Sequence, residues 1–114
     1  MITPIKAIAS QTLTNVTATY YTVPATTKQT VITNMSFLNT DSVARTVTVY
    51  FVPSGGTAGD TNARFKAMSV QPSSAGDPPP FFNLGIVMTA GETIQAKADT
   101  GAVVHIMANG IQYT

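Results

Sequence analysis

The stretch Arg45-Thr-Val-Thr-Val-Tyr-Phe-Val-Pro53 decides the fold class. Successive side chains of a strand point to opposite faces, so Val47, Val49 and Phe51 share one face while Thr46, Thr48, Tyr50 and Val52 share the other. A β-branched and aromatic run of this kind reads as a half-buried strand. Upstream, Asn39-Thr-Asp-Ser42 supplies the short polar side chains that bond their own backbone in tight turns. Before that turn, Gln29-Thr-Val-Ile-Thr-Asn-Met-Ser-Phe-Leu38 is again strand-like. Its faces are mixed, with Val31, Thr33, Met35 and Phe37 opposed to Ile32, Asn34, Ser36 and Leu38, so the pattern predicts a strand without saying which side is buried. The two runs and their turn predict a hairpin.

Outward from this centre the same vocabulary continues. Ala18-Thr-Tyr-Tyr-Thr-Val23 is a short strand stopped by Pro24, which cannot donate to a ladder. Ile5 to Thr12 predicts an edge strand, and residues 1–12 together read as an edge strand or an extended arm. On the other side, Ser54 to Asn62 is a glycine-rich loop and Phe65 to Val70 a strand. Pro72 to Pro80 is a second loop, stiffened by Pro78, Pro79 and Pro80. Phe81 to Met88, Thr93 to Ala98 and Val103 to Ala108 follow as strands, with Ile94, Ala96 and Ala98 facing inward. Asn109-Gly110 is a two-residue signal of the type I′ kind and predicts a last hairpin into Ile111 to Thr114. Turn signals every eight to twelve residues across roughly seven to nine strands give an all-β chain, an antiparallel β-sandwich or jelly roll of about eight strands in a single domain over residues 1–114.

Composition narrows the function. The chain has 114 residues, of which 44% are hydrophobic and only 10% charged, with a formal net charge of +1. A typical domain carries about 25% charged residues. The near-neutral balance offers no electrostatic footprint for nucleic acid or an anionic membrane surface. The absence of cysteine removes disulfides, thiolate zinc sites, iron–sulfur clusters and cysteine nucleophiles together. No apolar run approaches the roughly 18 residues of a membrane-spanning helix, and Met1 to Ser10 lacks the basic and apolar regions of a signal peptide. Scattered charge normally keeps monomers apart, so a surface this poor in charge fits a protein that works in contact with others.

Catalytic chemistry finds no foothold. Asp41, Asp60, Asp77, Glu92 and Asp99 all fall in expected turns or loops, where carboxylates bond backbone amides, and no acid and base pair forms. His105 is the only histidine. It alternates with Val104 and Ile106 and has no nucleophile motif or orienting partner beside it. Gly59-Asp-Thr-Asn62 resembles a fragment of a calcium loop without its distant glutamate. The glycines at 55, 56 and 59 lack the lysine and helix that a phosphate cradle requires. Asn15-Val-Thr17 and Asn34-Met-Ser36 match the glycosylation pattern, which bears only on secreted eukaryotic chains. The expectation is a non-enzyme with no catalytic, cofactor or metal residue.

Surface contacts are the better lead. Tyr20 with Tyr21 and Phe81 with Phe82 are adjacent aromatics, so in each pair one ring should enter the core and the other lie outside. Where loop and strand meet, Phe81 and Phe82 can also be buried as a pair; the alternative is that the Pro78 to Phe82 segment forms a stiff apolar anchor for another subunit, because rigid proline and aromatic groups lose little entropy on binding. These seven residues, Pro78, Pro79, Pro80, Phe81, Phe82, Tyr20 and Tyr21, are the candidate interface.

The run Tyr21-Thr-Val-Pro-Ala-Thr-Thr27, the strand ending Phe51-Val-Pro53 and the closing block Leu84 to Ile94 followed by Gly101-Ala-Val-Val-His-Ile-Met-Ala108 resemble the small virion proteins of tailed bacteriophages. The resemblance extends over about residues 18–114 and departs from the family's pattern in its longer proline-rich loop, Pro72 to Pro80. It implies a structural β-sandwich located on the phage particle, most simply a capsid decoration or cement protein that binds and stabilises the coat lattice. A tail, neck or baseplate accessory with a receptor- or glycan-binding role is the alternative. The implied partners are further copies of the chain, with a trimer as the expected oligomer, and major capsid or tail subunits, without nucleic acid or membrane.

Overall fold

A computed structural model describes residues 1–76 and 78–114. Its strands are β1 (Ile2–Thr12), β2 (Ala18–Thr22), β3 (Gln29–Asn39), β4 (Arg45–Val52), β5 (Ala63–Val70), β6 (Phe81–Met88), β7 (Thr93–Ala98) and β8 (Val104–Tyr113), with one 3-10 turn at Ser73–Ala75. They form two four-stranded sheets, a first in the order β1-β8-β3-β6 and a second in the order β2-β7-β4-β5. Every pairing is antiparallel, and the strands nest: β1 with β8, β2 with β7, β3 with β6, β4 with β5. A long hairpin rolled over on itself gives this order, which is the jelly-roll form of the sandwich.

The alternation read in β4 places Val47, Val49 and Phe51 in the core between the sheets. Tyr50 and Val52, on the other face, are also buried yet lie outside that core cluster. The loop after β4 turns back beside Val52. Gly56 donates its N–H to the Pro53 carbonyl at 2.8 Å, and a Cβ on Gly56 would stand 3.5 Å from Val52 Cγ1.

The mixed faces of β3 have a specific cause. Ile32 pairs with Gly110 and the next partners are Asn34 and Asn109, so Thr33 is an extra residue with no counterpart on β8. A bulge of this kind exchanges the two faces of a strand. Inward positions therefore run Thr30 and Ile32 before it and Met35, Phe37 and Asn39 after it, all buried. Neither simple alternation describes the whole strand.

Two expected hairpins are corrected: β3 and β4 lie in opposite sheets and do not pair, so Asn39–Ser42 carries the chain from one layer to the other, and Asn109-Gly110 is not a turn. β8 runs unbroken through both residues, and neither has the positive φ that a type I′ turn requires. The glycine answers a different need: a Cβ at Gly110 would meet the Val31 carbonyl oxygen at 2.5 Å, so β3 can approach β8 here only if the side chain is absent.

The core draws Ile32, Met35, Phe37 and Ile106 from the first sheet and Val47, Val49, Ile94 and Ala96 from the second. Between the edges β5 and β6 it is closed by three rings. Phe37 meets Phe65 and Phe82 edge-on at centroid distances of 6.0 and 6.2 Å, and Phe65 lies 4.9 Å from Phe82. Leu13, in the link from β1 to β2, is fully buried, and its backbone bonds Val104 and Ala102. Among the described residues no buried side-chain polar atom lacks a partner.

Candidate assembly surface

The residues that sequence reasoning weighed for chemistry are dispersed. Asp41 accepts from Nε and Nη2 of Arg45 at 2.8 and 2.6 Å and from the Ser42 N–H at 2.7 Å. The guanidinium first, then the Ser42 amide, hold its carboxyl below the usual carboxylate range. Asp60 is exposed and pairs with Lys66 at 3.2 Å, while Asn62 turns inward to bond Gly59 and Thr57 of its own loop. The fragment at residues 59–62 is thus a self-bonded turn. Glu92 accepts from the hydroxyl of Thr89 at 2.9 Å within their shared turn. Asp77 lies outside the described residues. Among the described residues no group of three or more His, Cys, Asp or Glu side chains converges as metal ligands, and no helix is long and apolar enough to cross a membrane.

The candidate interface residues divide between the two flanks. β6 and β5 are edges on one side of the sandwich, β1 and β2 on the other, so the phenylalanine and tyrosine pairs are not brought together. Phe81 is 59% exposed and Phe82 is inside against Phe37 and Phe65. Pro78 and Pro79 are exposed, and Pro80 is half-buried with its carbonyl accepting from Phe37 N–H at 3.1 Å. Tyr20 is the bulged residue of β2, between the pairs Thr19 with Gln95 and Tyr21 with Ile94. That bulge lets both tyrosines lean on the core. The Tyr21 hydroxyl then bonds Thr30 Oγ1 at 2.9 Å and accepts from Gln112 Nε2 at 3.0 Å, joining β2 of one sheet to β3 and β8 of the other.

What the structure assembles, and the linear sequence conceals, is the outer face of the first sheet. Register aligns Val87 of β6, Val31 of β3, Ile111 of β8 and Pro4 of β1 as one apolar row across all four strands. A second row joins Phe81, Ser36 and Met107, and a third joins Leu38, His105 and Thr12, where His105 Nδ1 and Thr12 Oγ1 lie 3.0 Å apart. Beside the last two rows an open groove of about 460 Å³ is lined by Leu38, Thr40, Pro79, His105 and Met107 among others. His105 is half-buried there. Lys6 is the sole charged residue in the four strands of this sheet, whereas the second sheet contains Arg45, Arg64, Lys66 and Lys97. These rows could not be found without the register, because their members come from opposite ends of the chain.

No protein-family model and no curated protein matches the sequence. Solved structures match it in shape. A subunit of the Bacillus endospore appendages, a family of disulfide-linked pili, aligns over 99% of this chain and 88% of its own, at a TM-score of 0.57 and 19% identity. A chain of infectious bursal disease virus, Gx strain, aligns over 99% of this chain at a TM-score of 0.56 and 13% identity, and one from the subviral particle of that virus at 0.54 and 12%. This chain spans about a third, 32%, of each viral chain. At these identities the likeness is one of fold: a two-sheet sandwich that is also used in pilus and virus-particle proteins.

Proposed function

We propose that this chain is a non-enzymatic structural subunit of an assembled particle, and within that class a capsid decoration protein of a tailed bacteriophage. The observation that carries the reading is the outer face of the first sheet: four strands wide, with Lys6 as its one charged residue, the apolar row Val87, Val31, Ile111 and Pro4 on one side of a polar row Asn83, Asn34 and Asn109, and Phe81, Met107 and Leu38 on the other. Monomers seldom leave so large an apolar area in water unless something covers it. The pilus and virus-particle neighbours support the class, and the resemblance of residues 18–114 to phage virion proteins supports the narrower role. The mechanism is burial of that face across joints between coat subunits, at about 25 cal/mol for each Å² of apolar area before ordering costs. Self-association into a closed symmetric oligomer belongs to the same reading, its stoichiometry measured by light scattering. Mass spectrometry of purified particles, with cryo-EM localisation, tests the role: the chain is expected on the outer surface of the head, and particles without it overturn the decoration role.

An appendage subunit is a second reading, favoured by the alignment over 88% of the pilus chain. With no cysteine in the sequence, such a filament would be held by non-covalent contacts. It would dissociate in detergent without a reductant, and a filament that resists detergent until reduced would exclude this chain as its sole subunit.

A further inference from the structure

Exposed sheet edges invite pairing with other chains, and proteins blunt them with charge, proline, bulges or shortness. Three of the four edges here are blunted. β1 carries Pro4, Lys6, two register shifts and Ser10 at φ 67°. β2 is only five residues long and bulged at Tyr20. β5 carries Arg64, Lys66, two register shifts and Ala67 at φ 49°. β6, Phe-Phe-Asn-Leu-Gly-Ile-Val-Met, has no charge and no proline; it has one register shift against β3, between Ile86 and Asn83, and its alternation of outward and inward residues continues through it. Among the described residues it pairs with β3 on one side and with no strand on the other. Uncharged apolar segments of this length are hazards when left free.

The sequence of β6 also says what fits it. Antiparallel pairing of a strand with its own copy about a two-fold axis places residue i opposite a residue of the same face. Centred on Leu84, the pairs are Phe81 with Val87, Phe82 with Ile86 and Asn83 with Gly85. Phe81 and Val87, the two large exposed apolar residues of the strand at 59% and 56%, become cross-strand neighbours on the outer face. Phe82 and Ile86 become neighbours on the inner one. Apolar pairs of this kind each add about 0.2–1 kcal/mol. With no ionic group on either strand, nothing repels.

We infer that β6 joins β6 of a second copy of this chain in this register, fusing two first sheets into one continuous eight-stranded sheet with a doubled apolar outer face. The inference rests on the assembly reading above and names its self-contact. The edge is about 27 Å long and buries less than the roughly 800 Å² per partner of a standard interface. The free dimer is therefore weak, in the range of about 10–100 μM, and is consolidated where many copies sit on one particle.

The absence of native cysteine makes the register directly testable. In the full chain carrying both Phe81→Cys and Val87→Cys, the two positions of one molecule are about 20 Å apart at about 3.3 Å per residue, too far to bond each other. Across the two-fold they stand about 4.5–5.5 Å apart at Cα, within disulfide reach. Mild oxidation at about 100 μM is expected to give a covalent dimer on a non-reducing gel, with either single variant linking at least tenfold more slowly. Val87→Lys, at an exposed site that leaves the fold intact by circular dichroism, is expected to weaken the dimer about tenfold or more in sedimentation. A wild-type chain still monomeric at about 1 mM overturns the inference. So does a trimer, or an oligomer in which the double variant does not cross-link, and these two outcomes leave the assembly reading standing.

Discussion

The two sheets of this sandwich have equivalent inner faces and unlike outer ones. Inside, both contribute fully buried aliphatic and aromatic side chains to one core. Outside, the second sheet carries Thr46, Thr48, Gln95 and Lys97 beside the buried Tyr50 and Val52, whereas the first carries Val31, Leu38, Met107, Ile111, Phe81 and Val87 around the uncharged polar Ser36, Asn34, Asn83 and Asn109. Folding asks only that the inner faces be apolar. The outer faces are free to vary, and they differ chiefly in charge: Lys6 alone in the strands of the first sheet, four cationic residues in those of the second.

The largest effect should come from crossing the inner boundary. Val49→Asp puts an unpaired charge in the fully buried core and is expected to abolish cooperative unfolding, while the same change at neighbouring Thr48, on the outer face, should leave a folded protein by circular dichroism. Next is the contact between β3 and β8. Gly110→Ala forces a methyl onto the Val31 carbonyl, and neither backbone can yield cheaply, so chemical denaturation should show a loss of about 3 kcal/mol. Tyr21→Phe removes the hydroxyl that joins the sheets and leaves the buried Thr30 with one partner fewer. Its expected loss is about 1–2 kcal/mol. Charging the outer faces separates stability from assembly: Met107→Glu and Thr46→Glu, at side chains without a hydrogen bond, should each change stability by less than about 0.5 kcal/mol, but only Met107→Glu should reduce occupancy on particles. An equal loss for both would erase the distinction between the sheets.

The smallest effect is at Asp41. Because Arg45 and the Ser42 amide depress its titration in the folded state, its contribution is present above the unfolded carboxylate value and disappears as pH falls through the lower folded one. Asp41→Asn should flatten that acidic part of the stability profile, read from denaturant midpoints between about pH 5 and 2.

Much of this architecture is legible in the sequence where a rule acts over a few residues. The alternation of β4, the inward Ile94, Ala96 and Ala98, and the division of Phe81 from Phe82 all follow from period two. The rule fails where a distant strand intervenes. Thr33 bulges because β8 has no residue to oppose it, and Gly110 lies in a strand because β3 crowds it, though its local dipeptide reads as a turn. Val52 looks half-exposed until the glycine loop turns back beside it. The candidate interface has the same limit: Pro79, Phe81, Leu38, His105 and Met107 become neighbours only through the pairing of β3 with β6 and β8, which no local rule anticipates.

The nested pairing also orders events in time. Of the nested pairs, only β4 and β5 are consecutive in the chain. β3 must wait for β6, β2 for β7, and β1 for β8 at the far end of the chain. Closing larger loops costs more entropy, so the zipper should start in the middle and run toward both ends. The strand synthesised first is thus the last to find its partner, which gives the proline, lysine and twin kinks of β1 a use during biosynthesis: they keep an orphan strand from sticking to its neighbours while it waits.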